Sequence, residues 1–103
     1  MISAILIAAM VQSAALTGQR QAFVTCLREA VASAKTEKVA GDAFDAYVRG
    51  KCAPVEQSFT ASMVAFDLKN KVPRKQAASD AKLQIDDYVA GAVDRYKAST
   101  GAQ

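Results

Sequence analysis

Two cysteines, Cys26 and Cys52, are the only thiols in the 103-residue chain, and no histidine stands anywhere to join them. A Cys–His nucleophilic pair and a mixed Cys/His zinc site are therefore excluded, and two thiolates alone make a poor zinc site without other ligands. Their separation of 26 positions is also far from a C-x-x-C spacing. In an oxidising compartment the reading that remains is one intramolecular disulfide, a structural bond. Closing a loop of this length stabilises a fold by roughly 3.5 kcal/mol on the chain-entropy model.

The carboxylates do not assemble into acid–base chemistry. Asp86 and Asp87 are adjacent, so on a helix they point about 100° apart and cannot converge on one substrate. Asp42 and Asp45 are better spaced, but Asp42 follows Gly41 at a position suited to capping a helix. Asp80, Asp87 and Asp94 recur every seven residues, the pattern of a solvated helical stripe. Ser58, Ser62 and Ser79 have no histidine to activate them, and neither G-x-S-x-G nor S-x-x-K frames any of them. Gly91 is isolated, so no glycine-rich phosphate loop is present. The expectation is a protein that is not an enzyme and uses no metal and no cofactor.

Binding chemistry is better represented. Lys69, Lys71, Arg74 and Lys75 place four basic side chains within seven positions, with no acid after Asp67 to offset them. Such a run suits an anionic partner: lipid headgroups, lipopolysaccharide or an acidic protein. The competing explanation is a solvated connection in which Lys69 complements the negative end of the preceding helix. Phe59, Met63 and Phe66 could line an apolar groove for a lipid tail or an unfolded client, unless the domain needs them for its own core. Nucleic acid is not expected. The net charge is only +3, and all seven aromatics (Phe23, Phe44, Tyr47, Phe59, Phe66, Tyr88 and Tyr96) fall on apolar stripes.

The elements that position these residues begin with an apolar run, Ile2 to Val11, ending in Ser13-Ala14-Ala15 before Leu16. A short apolar run closed by a small-x-small site reads as a cleavable signal peptide over residues 1–15, although no Lys or Arg precedes it. The run is shorter than the roughly 20 apolar residues a membrane span requires, so no stable span is expected in the mature chain. Removing fifteen of the 103 residues leaves 88 for a single helical domain over 16–103. A domain that small has a thin margin of stability.

Within it, helical periodicity is continuous and no strand pattern occurs. Phe23, Leu27, Ala30, Val31 and Ala34 mark a first helix over about 17–35, with Thr17 as its N-cap and Gly41 as the stop beyond it. Phe44, Tyr47 and Val48 mark a short second helix over about 43–50, with Cys52 one turn on. Pro54 and Pro73 each open a further helix. The third carries Val55, Phe59, Met63 and Phe66; the fourth, over about 74–98, carries Ala77, Ala81, Ile85, Tyr88, Val89, Ala92, Val93 and Tyr96. Residues 99–103 are expected to fray.

The fold class is therefore all-α, a small bundle of three to four helices stapled by Cys26–Cys52. Short, all-helical, with a signal peptide and one disulfide, the chain resembles in outline the small acid-stress chaperones of the bacterial periplasm. It departs from them in its closer cysteine spacing, and no motif carries a residue role across. The expected function is a periplasmic or secreted, non-catalytic interaction or structural module whose partner is an envelope protein or an anionic surface. A holdase-type chaperone or hydrophobic-ligand carrier is the alternative. Homodimerisation is left open as a way of completing the core.

Overall fold

Apolar residues at helical spacing, interrupted at three places, produce four α-helices: α1 (Ile2–Glu37), α2 (Phe44–Lys51), α3 (Ala53–Lys69) and α4 (Arg74–Thr100). A single turn of 3-10 helix, Gly41–Ala43, links α1 to α2. The computed structural model describes residues 2–101, with side chains from residue 14 onward, and among these there is no strand. The proposed signal segment, residues 1–15, thus lies outside the described side chains except for Ala14 and Ala15.

Each interruption has a physical cause. Lys38 ends α1 by adopting a left-handed conformation, φ 57°. This lets its own N–H donate to the carbonyl of Lys35 (3.2 Å) and that of Val39 to the carbonyl of Ala34 (3.0 Å). Lys71 ends α3 in the same way, φ 65°, with Val72 N–H reaching the Asp67 carbonyl at 3.0 Å. Both closures follow the Schellman pattern, which usually employs glycine. The third interruption lies at Cys52 (φ −105°, ψ 11°), where Pro54 in the first turn of α3 cannot supply the N–H that would continue α2. Cys52 bridges the break, donating its N–H to Val48 and accepting one from Glu56.

Helices α2 and α3 therefore form one bent arm, which runs antiparallel to both α1 and α4. The pairings set this direction. Cys52 is bonded to Cys26, the Phe59 ring lies 5.8 Å from Phe23, and Phe66 lies beside Ala15. Helix α4 runs alongside α1: Tyr88 meets Phe23 edge-on at 5.9 Å, and the Tyr96 hydroxyl is 3.2 Å from the Ala34 carbonyl.

The core draws on every helix. Among the described residues, five of its fifteen buried apolar side chains are alanines: Ala30, Ala34, Ala77, Ala81 and Ala92. Alanine lets helices approach closely but fills little volume, so the packing rests on Phe23, Leu27, Phe44, Phe59 and Tyr96, each at most 2% exposed. Fully burying one such side chain contributes about 1.5–3 kcal/mol. Tyr96 stacks on Phe44, ring centroids 4.3 Å apart, and its hydroxyl donates to the carbonyl of Val39, beyond the end of α1. One side chain thus fills space and satisfies the helix terminus.

Three expectations are corrected. Thr17 is not an N-cap: α1 continues through it from Ile2, because nothing in Ala14-Ala15-Leu16 interrupts a helix. Asp42 does not cap α2, which begins after the 3-10 turn with no side-chain cap bond. Ser99 and Thr100 do not fray. Their hydroxyls bond back to the Tyr96 carbonyl at 3.0 and 2.9 Å, and Gly101 closes α4 in the left-handed region. Ala102 and Gln103 lie outside the described residues.

The Cys26–Cys52 disulfide is formed, joining half-buried Cys26 on α1 to buried Cys52 at the bend. Reduction, or the double substitution Cys26→Ser with Cys52→Ser, should lower unfolding free energy by roughly 3.5 kcal/mol. Urea titration followed by circular dichroism, with and without reductant, measures the loss.

Candidate functional site

The four basic residues come together on the connection between α3 and α4. Lys69 is the last residue of α3, Lys71 holds the left-handed turn, and Arg74 and Lys75 open α4. All four are exposed and none pairs with an acid among the described residues. The turn that carries them is well fixed. Asn70 donates its side-chain Nδ2–H to the Phe66 carbonyl at 2.9 Å, and half-buried Val72 packs at the turn just before Pro73.

Dipole complementarity accounts for only part of this cluster. Lys69 sits favourably at the carbonyl end of α3. Arg74 and Lys75 sit at the amide end of α4, whose first turn holds no acid. A cation placed there opposes the helix dipole by about 0.3–1 kcal/mol. Arg74 and Lys75 therefore work against the first turn of α4.

The apolar trio separates. Phe59 is fully buried and Met63 is 4% exposed, both within the core. Phe66 alone reaches the surface, half-buried in a shallow depression shared with Ala15, Ser62 and Ala65. The aromatics divide likewise: Phe23, Phe44, Phe59 and Tyr96 are buried, whereas Tyr47, Phe66 and Tyr88 are half-buried. Arg20 lies over the Phe59 ring, its guanidinium carbon 5.4 Å from the centroid, and covers that side of the core. Leu83, at 61% exposure, is the exposed large apolar side chain among the described residues.

A second polar constellation has no counterpart in the sequence reading. Arg49 on α2 bonds Asp45 through Nε at 2.8 Å and Asp86 of α4 through Nη2 at 3.1 Å, while Lys82 reaches the other oxygen of Asp86 at 3.0 Å. Arg49, Lys82 and Asp86 border an open cleft of about 260 Å³ with Glu56 and Thr60. Hydrogen bonds from Lys82 and Arg49 hold the Asp86 carboxyl below its ordinary range. Burial works against the charge on Arg49, yet its two carboxylate partners outweigh it and raise its pKa. The Tyr47 hydroxyl, donating to Glu37, is likewise raised.

Within this network each of Arg49, Lys82, Asp45 and Asp86 has a partner of opposite charge. Asp86 and Asp87 do diverge: the former enters the network, and the latter is exposed. Asp87 and Asp94 are exposed and Asp80 is half-exposed. Among the described residues no group of three or more carboxylates and thiolates gathers to hold a metal ion. Nor is any described helix long and apolar enough to cross a membrane. The Arg49–Asp86 contact spans 37 positions between two surface-patterned residues, so only the packing of α2 on α4 reveals it.

Comparison of the chain with protein-family models, with curated proteins and with solved structures found no match.

A carboxylate whose pKa is lowered by folding contributes stability that is present above its unfolded value. That contribution is lost as pH falls through the folded one. Asp86 should therefore make the bundle increasingly sensitive to acid below about pH 4. Asp86→Asn should reduce that sensitivity while slightly lowering stability at neutral pH. Urea midpoints of the two proteins at successive pH values check the sign.

Proposed function

We propose that the chain is a small exported, non-catalytic interaction module of the cell envelope, presenting its α3–α4 turn to an anionic partner. The observation that carries this reading is charge. The protein has thirteen basic and ten acidic residues. Four of those basic residues, Lys69, Lys71, Arg74 and Lys75, are gathered on one exposed turn, and none of them pairs with an acid among the described residues. That turn is ordered, unpaired and unfavourable to the helix that follows, a combination suited to a partner supplying the missing negative charge.

Export is supported by the sequence of residues 1–15 and by the placement of the two cysteines at disulfide distance. It is also compatible with the packing, because Ala14 and Ala15 are exposed and Leu16 is the first described residue to pack against the core. Cleavage before Leu16 would leave the described core complete. Intact-mass analysis of protein recovered from its native host, alkylated without reduction, tests this. The expected species begins at Leu16, is unalkylated and is lighter by the two hydrogen atoms that an oxidant removes on disulfide formation. A full-length species with two alkylated thiols would overturn export.

The holdase reading requires Phe59 and Met63 to leave the core, which means parting α1 from α3 against the disulfide. A non-catalytic interaction module predicts no suppression of aggregation when a denatured client is assayed with the protein at neutral and acidic pH. Suppression accompanied by dye-detected exposure of apolar surface would favour the chaperone instead.

A further inference from the structure

The antiparallel packing of α1 and α3 fixes where the basic turn lies relative to the rest of the chain. Going down α1 from Cys26 to Phe23 to Ala15 corresponds to going up α3 from Cys52 to Phe59 to Phe66. Lys69 is one turn beyond Phe66 and Arg74 opens the returning helix, so the four cations occupy the pole of the bundle reached at Ala15. Helix α1 continues toward Ile2 beyond that level, and its sequence there is the apolar run Ile2 to Val11. The apolar run and the uncompensated positive charge belong to the same end of the protein.

The composition of the pole narrows its partner further. Specific protein interfaces are enriched in aromatic side chains and Arg and depleted in Lys. Here three of the four exposed cations are Lys, and Phe66, the aromatic nearest to them, is half-buried in the bundle. Long, independent ammonium groups on an ordered turn match a surface of many equivalent negative charges better than one stereospecific site. We propose that the α3–α4 pole docks end-on to an anionic lipid bilayer, with Lys69, Lys71, Arg74 and Lys75 contacting headgroup phosphates. This deepens the preceding reading and rests on its assignment of the basic turn as the contact.

A basic side chain close to an anionic bilayer strengthens partitioning by about fivefold, and the attraction is screened as the Debye length falls from about 10 Å at 0.1 M salt to about 3 Å at 1 M. The test is co-sedimentation of the full chain with vesicles of equal parts phosphatidylglycerol and phosphatidylcholine, and with vesicles of phosphatidylcholine alone. Binding should occur only to the anionic vesicles and should disappear at high salt. Joint substitution of Lys69→Gln, Lys71→Gln, Arg74→Gln and Lys75→Gln should weaken it at least about a hundredfold. The charge-matched control Arg28→Gln, Lys35→Gln, Lys38→Gln and Arg95→Gln should lose far less.

Circular dichroism verifies folding of each variant. Should the fourfold substitution reduce helicity, the pair Lys69→Gln and Lys75→Gln takes its place, with a fall of more than about tenfold expected. Equal binding to neutral vesicles would assign attachment to the apolar run and overturn the proposal. An equal fall in the control would overturn it by making the effect one of net charge alone. Binding of poly-glutamate through the same four residues, with none to vesicles, would overturn the lipid assignment and leave the anionic-partner reading standing. Binding to neither would end both.

Discussion

Helix α1 must be held against the arm formed by α2 and α3 at the one point where that arm bends, and the Cys26–Cys52 bond does this. Pro54 denies α2 a straight continuation. A bend without an external anchor would leave the short α2 free to swing, since eight residues cannot sustain a helix alone. Bonded to α1 through Cys52, α2 is instead brought beside α4, where Phe44 stacks on Tyr96 and Arg49 reaches Asp86. Core packing at this end and the charge network on its flank are both downstream of that single covalent constraint.

The interfaces themselves follow from small residues. Alanine at Ala30, Ala34, Ala81 and Ala92 brings the helices close, and a few large rings take up the remaining space. Close approach leaves no room for an interior polar group that is not satisfied, and none of the described buried side-chain nitrogen or oxygen atoms lacks a partner. Tyr96 shows how this is achieved. Its ring belongs to the aromatic stack, and its hydroxyl meets the carbonyl of Val39 where α1 has run out of its own donors.

The sequence was most informative where one physical effect dominates. Phe23, Leu27, Phe44, Phe59, Ile85 and Tyr96 were legible as core from their spacing alone, and the two prolines marked the starts of α3 and α4. Cys26 and Cys52 paired as expected because elimination left them nothing else to do. The helix stops were less legible. Glycine is the usual occupant of a left-handed terminus, yet Lys38 and Lys71 take that conformation, each followed by a half-buried valine whose N–H bonds back to the helix. Gly41, the more obvious stop, merely begins a 3-10 turn. In the candidate site, the basic run was visible at once. Its conflict with the α4 dipole followed from Pro73 opening that helix, whereas its place beside Ala15 required the antiparallel packing of α1 on α3.

Packing volume is not evenly distributed along the axis of the bundle. At the end holding Phe44 and Tyr96, stacked rings, a buried hydroxyl bond and the nearby disulfide bind α1, α2 and α4 together. Phe23, Phe59 and Tyr88 fill the middle. Toward the basic turn, the buried residue of α4 is Ala77, which stands apart from the continuous core cluster, and its neighbours on α3 are half-buried. Local opening is cheapest where the fewest apolar contacts are broken. Amide protons in the first turns of α4 and the last turn of α3 should accordingly exchange with solvent through small, local excursions, while those near Tyr96 wait for global unfolding. Buried apolar volume thus thins along the bundle toward the end that carries the charge, where hydrogen bonds from Asn70 and Val72, rather than packed rings, hold the turn.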